Sequence, residues 1–169
     1  MEKDWILIGM PGCGKSTLGK GLAKRLGCEF LDLDTAIEQE TGKTIPQIFE
    51  EEGEAGFRRA ETQVFQKAVG FGRVLATGGG IVTQKENRSI AKDGVVIFLD
   101  RPLADIMGDV KTDTRPLLAQ GKERLIRLYE ERYPLYQDWA DVHIINTGSL
   151  TEALDKIIRE VKEYENHGN

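Results

Sequence analysis

The chain of 169 residues has only two cysteines, Cys13 and Cys28. That excludes a disulfide framework at this size and predicts two free thiols. Histidine is equally scarce, and His143 and His167 stand too far apart to suggest a metal centre. No long apolar run is present: the longest near the middle, Val95 to Leu99, is far too short to cross a bilayer, and Met1 to Asp4 lacks the apolar region of a signal peptide. An excess of positive charge is missing too. With 23 basic and 28 acidic residues the formal net charge is -5. This argues against a surface that attracts nucleic acid or anionic membrane as a whole, so an anionic ligand must be held by a local cluster. These absences predict a cytoplasmic protein, one domain with a substantial core, and no nucleic-acid or membrane partner. Repeats and low-complexity stretches are also lacking, and only 166–169 reads as a frayed tail.

What is present starts with Gly9-Met10-Pro11-Gly12-Cys13-Gly14-Lys15-Ser16, between the apolar run Trp5 to Ile8 and a helical pattern beginning near Lys15. It matches G-x-x-x-x-G-K-[ST], the phosphate-binding loop. Glycines let successive N–H groups turn towards phosphate oxygens, and the helix behind them adds the positive end of its dipole. Lys15 reaches the terminal phosphates. Ser16 offers a hydroxyl to Mg²⁺, with Thr17 the next candidate hydroxyl.

Five segments read as strands, Trp5–Ile8, Glu29–Leu33, Arg73–Ala76, Val95–Leu99 and Val142–Ile145, separated by helical patterns. The expected fold is α/β: a three-layer α/β/α arrangement around a five-stranded parallel sheet, with ligands beyond the carboxyl ends of the strands. Helices are expected over 15–26 with Gly27 as its cap, over 34–40, from Thr44-Ile45-Pro46 onward, over 54–69, over 122–133, and from Thr151 to about Tyr164. The stretch 109–121 lacks apolar periodicity, contains Arg115-Pro116 and reads as a loop long enough to be a mobile lid.

Phosphoryl transfer requires a phosphate cradle, Mg²⁺, a group that orients the nucleophile and cations for the transferring group. Asp32 and Asp34 form D-x-D at a strand end, where alternate spacing in an extended chain puts both carboxylates on one side. One suits Mg²⁺ or its waters and the other an acceptor hydroxyl; two helix-capping or turn aspartates are the plainer reading. Gly78-Gly79-Gly80 after the third strand allows close backbone approach to a small ligand. Arg58 lies about 100° from Phe57, at the edge of the buried stripe of its helix, with Glu61 placed to hold its guanidinium. Arg132 falls in phase with Leu125, Leu128 and Tyr129, so it needs an anion. Two arginines from different helices suit a carboxylate, and Arg115 could swing over the phosphates.

Together with Phe57-Arg58-Arg59-Ala60-Glu61, Thr77-Gly78-Gly79-Gly80, Arg115-Pro116-Leu117-Leu118 and Arg132-Tyr133-Pro134-Leu135-Tyr136, this set resembles the ordered motifs of the shikimate kinases, P-loop kinases related to the nucleoside monophosphate kinases. The resemblance runs from Ile6 to Asn146. It implies transfer of the ATP γ-phosphoryl group to the 3-hydroxyl of shikimate, in aromatic amino-acid biosynthesis, by a single domain with a substrate-binding segment at about 34–61. Asp34 would bind and deprotonate the hydroxyl, Arg58 and Arg132 clamp the shikimate carboxylate, and Gly79 and Gly80 contact shikimate through backbone. ATP would lie on Gly12, Cys13, Gly14, Lys15, Ser16, Thr17 and Arg115, with Lys15 and Arg115 neutralising charge in the transition state. Mg²⁺ would sit on Ser16 and, through water, Asp32. A monomer is expected. The chain departs from the family at Gly108, where an arginine often stacks on adenine. The rivals are a gluconate or nucleoside monophosphate kinase on the same scaffold, and a nucleotide-dependent switch protein without an acceptor.

Overall fold

The computed structural model describes residues 2–112 and 118–168. Its strands are β1 (Trp5–Ile8), β2 (Phe30–Asp32), β3 (Val74–Ala76), β4 (Val95–Asp100) and β5 (Val142–Ile145). They form one sheet in the order β2-β3-β1-β4-β5, every pairing parallel. Helices α1 (Lys15–Leu26), α2 (Leu33–Thr41), α3 (Ile45–Ala68), α4 (Lys85–Ala91), α5 (Leu103–Thr112), α6 (Leu118–Trp139) and α7 (Leu150–His167) provide the connections, with a 3₁₀ turn at Ile81–Thr83.

Strand residues alternate between two cores. Ile6 and Ile8 of β1 join Leu75, Val96 and Phe98 in a core completed by Ile37, Phe57, Phe65, Tyr136 and Trp139 from α2, α3 and α6. Trp5 and Leu7 join Val74, Ile97 and Leu99 in the opposite core, with Leu18 and Leu22 of α1 and Leu154, Ile157 and Val161 of α7. This is the expected three-layer fold. Burial on both faces explains why β1 and β4 read as unbroken apolar runs, while the edge strand β5 alternates buried Val142 and Ile144 with exposed His143 and Ile145.

Helix ends follow local chemistry where the expectations held. Gly27 closes α1 and Gly42 closes α2 in left-handed conformation, and Thr44 and Gln47 form a reciprocal capping box at the start of α3. Several boundaries differ. The expected helices beginning at Thr44 and Glu54 are one element, kinked at Gly53, whose φ of 70° and ψ of -176° are open to glycine alone. Ser149, not Thr151, caps α7, its hydroxyl accepting from Glu152 N at 3.1 Å. The tail from Asn166 is helical as far as His167. Helix α6 passes through Pro134 to Trp139 because burial of Tyr136 and Trp139 outweighs the lost backbone hydrogen bond. The expected loop 109–121 is helical over 109–112 and 118–121. Arg115 and the centre of that stretch lie outside the described residues.

Candidate active site

The phosphate-binding loop leaves β1 at the centre of the sheet. Gly9, Gly12 and Gly14 take φ of 149°, 82° and 99°, values that a side chain would make costly, and a Cβ on Gly9 would fall 2.6 Å from the Leu99 carbonyl oxygen. Gly14 stands at the N-cap of α1 without a side-chain cap, and no acidic residue occupies the first turn. The helix therefore keeps its leading N–H groups and positive dipole for an anion. Lys15 Nζ donates to the carbonyls of Gly9 at 2.6 Å and Met10 at 3.0 Å, which holds the ammonium across the loop. Cys13 is fully buried beneath the loop and Cys28 is partly buried, both as free thiols.

The two aspartates meet the loop differently from the strand alternation expected. Asp32 ends β2 and caps α2, its Oδ1 accepting from Thr35 N at 3.3 Å, while Asp34 already lies in the first helical turn. The capping reading thus holds for Asp32 and fails for Asp34. Both nevertheless line one crevice of 360 Å³ with Lys15, Ser16, Gly78 and Gly79. Asp32 Oδ2 accepts from Ser16 Oγ at 2.8 Å. Hydroxyl and carboxylate oxygens from β2 and α1 side by side are the hard donors that Mg²⁺ takes, so these residues fit the metal. Burial, and then the neighbouring Asp32, push the Asp34 carboxyl above its ordinary value, with Lys15 and Arg58 opposing.

Arg58 and Arg132 reach the same place from α3 and α6. Arg58 Nη1 donates to Glu61 Oε1 at 2.9 Å, and Glu61 is wholly buried. Burial raises the Glu61 carboxyl, against the pull of Arg58. The glycine triplet lies beneath the arginines: a Cβ on Gly80 would come within 2.2 Å of Arg58 Nη2, and one on Gly79 would fall 2.7 Å from Pro11 Cδ and 3.3 Å from Arg132 Nη1. Gly78 packs in the same way against Asp34 and Glu61. Arg58 Nε and Glu61 Oε2 are buried without a hydrogen-bond partner among the described residues. Two cations, two carboxylates and a stretch of bare backbone thus converge beside the phosphate loop.

Three supports were not anticipated. Tyr136 Oη donates to the Gly79 carbonyl at 2.6 Å, fixing the glycine turn. It lies four residues beyond Arg132 on one helical face, a spacing visible in the sequence. Thr77 Oγ1 donates to Leu7 O at 2.7 Å, tying the triplet to β1. Asn146, beyond β5, donates to Cys13 O at 2.8 Å and braces the loop from its other side. Nothing local in the sequence announces that long-range pair.

A glycine-rich phosphate cradle at the carboxyl end of a central parallel strand, opening on a crevice lined by Asp34 with two arginines over the adjoining glycine turn, defines a P-loop kinase acting on a small anionic acceptor. A gluconokinase from Sinorhizobium meliloti shares this fold, with a TM-score of 0.66 at 12% identity over 98% of this chain and 95% of that one. The family profile described as shikimate kinase matches residues 11–162. A shikimate kinase from Clostridium beijerinckii is 44% identical over 165 residues, covering 96% of this chain and 95% of that protein. One from Nostoc punctiforme is 46% identical, covering 92% and 88%. The solved shikimate kinase from Acinetobacter baumannii in complex with shikimate superimposes with a TM-score of 0.86 at 40% identity, covering 96% and 94%. The chain belongs to the shikimate kinase family, and is an ATP-using phosphotransferase with an alcohol acceptor.

Proposed function

We propose that Asp34, Arg58 and Arg132, with the backbone of Gly79 and Gly80, hold shikimate so that its 3-hydroxyl faces the γ-phosphate of ATP on the loop Gly12 to Thr17. The reaction yields shikimate 3-phosphate and ADP and serves aromatic amino-acid biosynthesis. The observation carrying this reading is the pair of arginines over the glycine triplet next to the crevice that holds Asp34 and Lys15. Arg58 and Arg132 present planar, multi-donor cations to a carboxylate. Asp34 accepts the hydroxyl proton as the oxygen–phosphorus bond forms and the bond to the β–γ bridging oxygen breaks. Lys15 exchanges its carbonyl partners for phosphate oxygens and follows the developing charge, and Arg115 joins it by its place in the sequence. Ser16 would hold Mg²⁺, with Asp32 supporting it through water, and the bound metal would neutralise charge on the phosphates.

In this reading one domain spans 1–169, with residues 34–61 receiving shikimate and 109–121 acting as the lid. It works as a cytoplasmic monomer. No helix among the described residues is long and apolar enough to cross a membrane.

Coupled measurement of ADP release with shikimate, gluconate and nucleoside monophosphates tests the reading. Turnover with shikimate is expected, and its absence overturns the assignment. ATP binding without turnover on any acceptor would favour a switch protein instead. Arg132→Lys should raise the shikimate KM by about 10- to 100-fold with little change for ATP, because one charge-assisted fork becomes a point charge. An equal loss for both substrates would assign Arg132 to structure.

A further inference from the structure

Two crevices flank the start of α1 and share Gly14 and Thr17 in their walls. The first contains Asp34 and Gly79, the acceptor side. A nucleotide whose phosphates rest on the loop must therefore extend its ribose and base into the second, a cleft of 330 Å³ bounded by Arg101, Asp105, Asn146 and Leu150. Among the described residues lining that cleft, Arg101 is the sole cation. Asn146 commits one of its two side-chain N–H groups to Cys13 O. Gly108, one turn beyond Asp105 on the same face of α5, adds no side chain.

Arg101 follows β4 directly, and its guanidinium is fixed from two sides. Nη1 donates to the Gly12 carbonyl at 2.9 Å and pairs with Asp109 of α5 at 2.5 Å. Nε and Nη2 make no hydrogen bond among the described residues. A rigidly held guanidinium combines positive charge with a flat face, the two properties that attract an aromatic base.

We propose that Arg101 is the residue that recognises the nucleobase and ribose of the donor, its guanidinium aimed by Asp109 and anchored on the phosphate loop. The inference rests on ATP being the donor held by that loop. Calorimetric titration of the full chain with ATP, and separately with inorganic tripolyphosphate, which has phosphates but no base, tests it. Arg101→Ala should weaken ATP by about tenfold and leave tripolyphosphate unchanged. Arg101→Lys, which retains a cation near Gly12 and Asp109 but lacks the plane, should remain within about threefold of the alanine form; it is also the fallback if thermal melting shows the alanine form unfolded. Equal weakening of both ligands would mean that Arg101 acts only through the loop, and overturns the proposal. So would unchanged ATP affinity, or full restoration by lysine. Failure of the unaltered protein to bind ATP would instead remove the donor assignment on which the inference rests.

Discussion

Asp34 sits under opposing influences. Burial and the Asp32 charge favour its protonated form, whereas Lys15 and Arg58 favour the carboxylate. The balance raises it above 3.8, so a reaction needing ionised Asp34 loses rate on the acid side at a pH above that of an ordinary aspartate. Asp34→Asn should lower kcat by about 10²- to 10⁴-fold while ATP affinity changes little, and the acid limb of kcat/KM should vanish from the residual rate. Wild-type turnover in this variant would remove Asp34 from the chemistry. Its partner in sequence behaves otherwise: Asp32 caps a helix and accepts from Ser16, so its place is fixed by backbone as much as by the crevice.

At the scale of elements, the proposed acceptor side is built by two irregular helices. Helix α3 bends at Gly53, which separates the capped segment after Thr44 from the segment carrying Arg58 and Glu61. A Cβ there would meet nothing within 4 Å, so the demand is made by backbone conformation alone. Gly53→Ala should therefore destabilise by about 1–3 kcal/mol. Each kcal/mol lost lowers the Tm by about 2–4 °C in a chain of this size. An unchanged melting temperature would show that the bend can relax without cost. Helix α6 continues past Pro134 to bring Tyr136 onto the Gly79 carbonyl, so the residue that interrupts its hydrogen bonding lies between Arg132 and the tyrosine that steadies the glycine turn. The sequence pattern marked both helices by apolar periodicity, but a helix normally stops near a proline. Only the burial of Tyr136 and Trp139 overrides that rule here.

Across the whole molecule, the site is a place where stability is given up. Glu61 is wholly buried among Arg58, Arg132 and Asp34, and burial raises its carboxyl above 4.5. A carboxyl raised by folding binds more protons in the native state than in the unfolded chain. Its stabilising contribution is full below 4.5 and is lost as pH climbs through the raised value. Asp34 acts in the same direction from 3.8 upward. Glu61→Gln should flatten the decline of unfolding free energy with rising pH, leaving the part due to Asp34. Urea melts at a series of pH values from 4 upward measure it, and an unchanged slope would contradict the assignment.

The sequence by itself determined the layered α/β fold, since strands buried on both faces must be apolar throughout and the intervening helices must carry a stripe. It also determined the phosphate loop, whose chemistry is contained in eight consecutive residues, and the orientation of Arg58, because helical phase is a local property. The tertiary structure alone decided how Asp32 and Asp34 come to share a crevice, where β2 turns into α2, and which partners brace the loop from a distance. Contacts such as Asn146 to Cys13, Tyr136 to Gly79 and Arg101 to Gly12 join residues 57 to 133 positions apart. Local periodicity carries no trace of such pairs; they form only when the parallel sheet brings the ends of its strands together.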